Sequence, residues 1–201
     1  MARLATGCLI CLLLAPCGAG AQTLGVSPSS GDQLSGASEL QLDSLYGPLL
    51  YLMRPDERGI YPELSLKGKR DFLRRFWAQR DPTPGTPKNE AEDTFDLRIA
   101  EVNRKFRVTG TDTIPGWRTD RGRVYLEYGP PDIVLTRRLP GPNPPYEVWK
   151  YMRGKLRKYC FVDVTRFGAY VLVYSSDPAE PTRSDWRELV GDNAYIEVMR
   201  F

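Results

Sequence analysis

Gly116-Trp117-Arg118-Thr119-Asp120-Arg121-Gly122-Arg123-Val124-Tyr125-Leu126-Glu127-Tyr128-Gly129-Pro130-Pro131-Asp132 is the stretch on which the fold turns. Gly116 permits a backbone that side chains forbid, Trp117 offers a large apolar anchor, and Thr119 and Asp120 can bond nearby main-chain donors. Residues 116–120 therefore read as a turn held by its own side chains. In a functional alternative, Asp120 and Arg121 are a polar pair presented to a ligand at a sheet edge. Residues 121–128 alternate, with Val124, Leu126 and Tyr128 on one side and Arg123, Tyr125 and Glu127 on the other, which predicts a half-buried strand ended by Gly129-Pro130-Pro131.

Downstream, residues 133–137, 146–152, 159–164 and 169–174 are short, aromatic or β-branched, and separated by Gly, Pro or charged turns. Connections this short favour antiparallel neighbours, so a meander of four or five strands is expected. Upstream the period changes to that of helices. Leu42, Leu45, Leu49, Leu52 and Met53 recur at three- and four-residue steps, with Gly47 and Pro48 expected to kink that helix or delay its start. Ser65 is a plausible N-cap for a second helix carrying Leu66, Lys69, Leu73, Phe76 and Trp77, stopped at Asp81-Pro82. After a proline-rich loop, Asn89-Glu90 opens a third, with Ala91, Phe95, Ile99, Val102 and Phe106 on one face and Glu101 positioned to pair with Lys105. Residues 182–185 introduce Trp186, Leu189 and Val190 before Gly191, and residues 192–201 continue as a last helix. The fold class is α+β, with N-terminal helices on one face of an antiparallel meander and a C-terminal helix.

Residues 1–21 pair one early charge, Arg3, with an apolar run and small residues at Ala19-Gly20-Ala21, the pattern of a secretory signal peptide cleaved before Gln22. Residues 22–38 are rich in Ser and Gly and read as a flexible leader, with residues 39–201 forming one domain. Leu14-Ala15-Pro16-Cys17 supplies an alternative, a lipobox with Cys17 lipidated, which the intact mass of the mature chain distinguishes. The expected location is exported, periplasmic or extracellular, with an outer-envelope lipoprotein as the alternative. No later segment is long and apolar enough to span a membrane. Of four cysteines, only Cys160 lies beyond the signal, so no intrachain disulfide is expected and Cys160 reads as a buried thiol.

The formal charge of +3, one less once Arg3 is lost, offers no case for nucleic acid. The run Lys67-Gly68-Lys69-Arg70 with Arg74 and Arg75 reads as a solvated helix face. Histidine is absent from the chain, which excludes Ser-His-Asp and Cys-His catalysis within it and removes the usual imidazole ligands of catalytic zinc. There is no Walker loop, dinucleotide fingerprint, Gly-x-Ser-x-Gly elbow or EF-hand loop. No catalytic residue, resident metal or cofactor is assigned.

Taken together, Gly116-Trp117-Arg118-Thr119-Asp120, Phe76-Trp77-Ala78-Gln79-Arg80-Asp81-Pro82, Asn89-Glu90 and Arg98 resemble the pattern of the GWxTD domain family over residues 45–174. The resemblance implies a bacterial exported domain and an architecture, with no established activity. It places Arg80, Asp81, Glu90, Arg98, Asp120 and Arg121 around helix ends and the main turn. If they converge, the carboxylates could act as acid and base or hold a hard cation such as calcium. Otherwise they form an ion-pair network locking the proline loop to the sheet. A second candidate surface is the aromatic set Trp149, Tyr151, Tyr159, Phe161, Tyr170 and Tyr174, which is either core or a face for stacking sugars or gripping protein. The expected function is a non-enzymatic binding or scaffolding module for an envelope protein or glycan, with Arg80, Asp81, Glu90, Arg98, Trp117, Thr119, Asp120 and Arg121 as structural or ligand-binding positions. The alternative is a carboxylate-dependent glycan hydrolase using Asp81, Glu90 and Asp120.

Overall fold

The computed structural model describes residues 34–109, 113–138 and 143–201. The expected signal peptide, Cys17 and most of the expected leader lie outside the described residues. Within them, Leu34 is already packed in the core and Ser38 caps the first helix, so the body begins a few residues before Glu39.

Each long helix starts where a side chain relieves its unpaired N–H groups. Helix α1 (Glu39–Leu49) has a reciprocal cap between Ser38 and Gln41, and it runs straight through Gly47 to carry Pro48 in its last turn. Helix α2 (Leu66–Ala78) starts at Ser65, whose hydroxyl accepts from the Gly68 N–H at 3.3 Å. Helix α3 (Glu90–Phe106) is capped by Asn89, with Glu90, Glu92 and Asp93 in its first turn and Arg104 and Lys105 in its last, matching the helix dipole. The expected Glu101–Lys105 pair is present at 2.6 Å.

The segment expected as a strand at 121–128 is instead helix α4 (Asp120–Tyr128). The alternation of Val124, Leu126 and Tyr128 is real, but Arg121, Val124, Tyr125 and Tyr128 also fall at helical spacing, and periodicity alone does not separate the two in so short a window. The ends decide. Thr119 is an N-cap, accepting from the Gly122 N–H at 3.1 Å, and Gly129 stops the helix at φ +79°.

Strands β1 (Ile133–Arg137), β2 (Tyr146–Tyr151), β3 (Arg157–Val162) and β4 (Val171–Ser175) form one antiparallel sheet in the order β1-β2-β3-β4, the expected meander. Helices α5 (Trp186–Val190) and α6 (Asp192–Arg200) follow. One face of the sheet, with Trp149, Tyr151, Tyr159 and Phe161, is buried beneath the N-terminal helices: Phe106 of α3 meets Trp149 at 5.5 Å and Tyr125 of α4 meets it at 6.3 Å. The other face, with Tyr146, Val148, Cys160, Val162 and Val173, is buried by Trp186, Val190, Ala194 and Val198 of α5 and α6. The sheet is thus the middle of three layers, which is why β2 and β3 carry apolar side chains on both faces. Trp149, Tyr151, Tyr159, Phe161 and Tyr170 are core rather than a stacking platform, and Tyr174 leans on Trp186 across the other face. Burial pushes the Cys160 thiol up to about 12, so it is an inert core residue.

The basic run expected to be a solvated face is only partly so. Lys69 is buried, lies over the Tyr61 ring and reaches Glu39 at 2.7 Å and Asp43 at 2.9 Å, while Arg70 donates to the Ala37 carbonyl at 2.8 Å. These two bases bind α2 to α1, which helical spacing alone did not reveal.

Candidate functional site

The residues of the Gly-Trp-Arg-Thr-Asp turn are each engaged by a different part of the fold. Residues Gly116–Arg118 form one 3-10 turn laid across α3. A Cβ on Gly116 would overlap the Val102 carbonyl and come within 2.8 Å of the Asn103 Cα, so only glycine fits this crossing. The next N–H, that of Trp117, donates to Asn103 Oδ1 at 3.3 Å. The indole then inserts toward α1, where Gly47 makes room: a Cβ there would lie 2.8 Å from Cη2 of the ring. Tyr51 meets the same ring edge-on at 6.4 Å, and the Arg118 guanidinium sits 4.9 Å from its centre.

Thr119 donates its hydroxyl proton to the Gly116 carbonyl at 2.7 Å while capping α4. Asp120 reaches across to the sheet and accepts from the Leu172 N–H at 2.7 Å. Strand β4 is an edge strand, and this carboxylate together with Thr182 and the Arg183 N–H satisfies main-chain groups of β4 that β3 does not. Arg121 is buried, pairs with Glu147 at 3.3 Å, donates to the Gly168 carbonyl at 3.2 Å, and stacks 3.9 Å from the centre of Tyr170. Gly122 completes the arrangement, since a Cβ there would overlap the Gly116 carbonyl.

The remaining candidate residues lie at the far end of α2, at the start of α3 and, for Arg98, at its midpoint. Arg80 pairs with Glu57 at 2.6 Å, donates to the Phe76 carbonyl and lies 3.7 Å over the Phe76 ring. Asp81 accepts from the Thr83 N–H at 3.0 Å, an Asx turn, and Glu90 accepts from the Thr83 hydroxyl at 2.5 Å. Arg98 lies beside Gly129, whose missing Cβ would be 3.3 Å from its Nη2. Arg80, Glu90 and Arg98 share a small cavity of about 370 Å³ with Leu52, Pro82 and Thr94. The six charged residues therefore do not converge: Arg80, Asp81, Glu90 and Arg98 gather at the proline loop, and Asp120 and Arg121 serve the sheet. Among the described residues no group of three or more His, Cys, Asp or Glu is positioned to hold a metal ion.

Several of these carboxylates titrate below their ordinary range. Arg80 and the Arg54 N–H hold Glu57 down, Arg137 and Tyr146 hold Glu197 down, and the Ala179 N–H with Arg157 holds Asp177 down. A group whose folded pKa is depressed stabilises the fold fully above its unfolded value and loses that contribution as pH falls through the folded one. Thermal midpoints should accordingly be flat near neutrality and drop on acidification below about pH 4. Glu57→Gln should lower the neutral-pH midpoint and flatten the acid limb; an acid limb identical to that of the native chain would show that Glu57 contributes nothing to it.

Trp117 has a second role that its neighbours lack. It closes one end of a cavity of about 910 Å³ between α1 and α3, the end where Gly47 and Asn103 lie. One stripe of α1, Gln41, Ser44, Leu45 and Pro48, forms one wall, and one stripe of α3, Glu92, Asp93, Asp96, Ile99, Ala100 and Asn103, forms the other. Leu49, Leu73, Trp77 and Phe95 make the base. Asp96 counts as exposed by area, yet the groove walls desolvate its carboxyl and push it upward, with the like charge of Asp93 adding to the rise. None of the residues lining this cavity is a lysine or arginine.

Of the eight candidate binding positions only Trp117 lines this groove, together with Trp77 of the Phe76-to-Pro82 motif. Asp93 and Asp96 were legible as a signal: neither has a base three or four residues ahead on α3, unlike Glu101 with Lys105. Among the described residues no helix is long and apolar enough to cross a membrane.

No curated protein and no solved structure matches the chain. The family model of the GWxTD domain matches residues 38–196, which takes in every helix and strand from α1 to the first half of α6. The turn that carries the signature and the proline loop that accompanies it both stand inside this match, and the chain belongs to the GWxTD domain family.

Proposed function

We propose that this chain is an exported, non-enzymatic binding or scaffolding module of the bacterial envelope, acting as a periplasmic or extracellular protein, and that its binding surface is the groove between α1 and α3. The observation that carries this reading is the division of labour around Trp117. The signature's polar groups are consumed in holding α3, α4 and β4 together, whereas the indole also faces a cavity within the size range of ligand sites. Walls that mix polar and acidic side chains with Leu45, Ile99 and the Trp117 ring suit recognition of an envelope protein or glycan.

The alternative, a glycan hydrolase using Asp81, Glu90 and Asp120, has less support. Asp81 and Glu90 are both turned onto Thr83, and Asp120 is bonded to the sheet edge, so no pair of them flanks a cleft. Incubating the mature chain with peptidoglycan fragments and polysaccharides and weighing the products by mass spectrometry tests the choice. The binding reading expects no cleavage; cleavage that disappears in Asp81→Asn, Glu90→Gln or Asp120→Asn without loss of fold would overturn it.

A further inference from the structure

We infer that the α1–α3 groove accepts an amphipathic helix of a partner protein, with apolar side chains against Leu45, Ile99 and Trp117 and lysines or arginines against Asp93 and Asp96 of α3. The inference rests on reading this groove as the binding site and adds the chemistry of its occupant.

The shape argues for a helix. Gln41, Ser44, Leu45 and Pro48 lie at the i, i+3, i+4 and i+7 positions of α1, and the α3 wall repeats in the same way over residues 92–103, so the cavity is a furrow walled by one stripe of each helix. A furrow of that kind is filled by side chains projecting at three- and four-residue steps from a third helix, the helix-in-groove mode. Its base of Leu73, Trp77 and Phe95 belongs to the core, and the apolar surface left open to an occupant is that of Leu45, Ile99 and the Trp117 ring at one end.

The charge argues for a basic flank. Asp93 and Asp96 make no ion pair among the described residues, and they stand three residues apart on one face with no cation in the lining. Glu39 and Asp43 share Lys69, Glu101 has Lys105, and Glu180 has Arg123, whereas the charge that faces Asp96 is the like charge of Asp93. Two like charges left facing each other beside a desolvated apolar base are stabilised by a cation from outside. A neutral helix would gain nothing from this wall, and an acidic one would be repelled.

The test uses the mature chain and two synthetic peptides of about five helical turns. Both carry leucine at helical spacing, one with lysine and the other with glutamate on the flanks, and binding is followed by the fluorescence of the chain's tryptophans, two of which line the groove. The lysine peptide should bind at least about tenfold more tightly than the glutamate peptide, and Asp93→Asn with Asp96→Asn should weaken it about tenfold. Ala100→Trp and Ser44→Trp, on opposite walls at exposed positions, should each abolish binding with an unchanged thermal midpoint. If one of these fails to fold, the other carries the test.

Equal binding of the two peptides, or indifference to the loss of Asp93 and Asp96, with binding still abolished by the tryptophan variants, overturns the basic partner and leaves the groove standing. Binding indifferent to Ala100→Trp and Ser44→Trp removes the groove as the site altogether. Failure of both peptides to bind overturns the helical occupant.

Discussion

Gly116→Ala yields a chain that is largely unfolded at neutral pH, and Gly122→Ala does the same. At both positions the added methyl would fall within bonding distance of a main-chain carbonyl, of Val102 in the first case and of Gly116 itself in the second. Neither obstacle is the end of a flexible side chain. To admit the methyl, the 3-10 turn must move off α3, or α4 must move off the turn, and either shift withdraws the Trp117 ring from Gly47 and the Asp120 carboxylate from β4. Close-packed interiors do not absorb displacements of this size locally. Losses above about 4 kcal/mol are expected, comparable with the whole stability of an ordinary domain. Gly36→Ala is the control, since no atom lies within 4 Å of its Cβ position. Circular dichroism and urea unfolding of the three variants provide the measurement, and a Gly116→Ala chain as stable as the Gly36→Ala chain would refute the crossing as described.

The second large effect belongs to Arg121. Its guanidinium is sandwiched against Phe106 and Tyr170, and both it and its partner Glu147 are nearly sealed from water, with side-chain exposures of 8% and 9%. Removing the cation leaves the Glu147 carboxylate with the Trp149 indole N–H at 3.3 Å and the exposed Arg138 at 3.8 Å. Breaking a buried pair from one side costs about 3 to 5 kcal/mol, most of it the penalty of the stranded charge. Arg121→Ala should therefore be severely destabilised, and Arg121→Met combined with Glu147→Gln should recover a large part of the loss. A double variant no more stable than Arg121→Ala would mean that stacking on Tyr170, rather than the charge pair, is what matters.

Much of this architecture could be read from the residues, because the signals were redundant. Ser65, Asn89 and Gly191 mark helix boundaries with the chemistry of caps and stops, and the four strands are short runs separated by turn residues, so period and punctuation agree. The segment after Asp120 was ambiguous because the eight-residue window from Arg121 to Tyr128, with Val124, Tyr125 and Leu126 inside it, satisfies both periods. Only Thr119 as a cap and Gly129 as a stop distinguish them. The two-sided burial of the sheet was partly hidden as well: the aromatic residues of β2 and β3 announce one face, whereas Val148, Cys160 and Val162 announce the other only once Trp186 and Val198 are known to return over them.

The candidate site was legible in a different sense. The signature picks out residues that matter to the fold, and each of them has a mechanical task; the groove is built from unremarkable helix positions such as Gln41, Ser44, Ala100 and Asn103, which carry no motif. Sequence reasoning favours unusual residues in turns, and a furrow between two helices is made of ordinary ones. Trp117 joins the two because a ring large enough to clamp α1 against α3 also forms the end wall of the space between them.

If the polar groups of the Gly-Trp-Arg-Thr-Asp turn serve the fold, stability must fall when Asp120 is lost. Its carboxylate joins the start of α4 to the free edge of β4 through the Leu172 N–H, at 2.7 Å. Urea unfolding of Asp120→Ala is predicted to show a loss of about 1 to 3 kcal/mol, the cost of depriving a part-buried donor of a charged acceptor. An Asp120→Ala chain that unfolds at the same urea concentration as the native protein would contradict it.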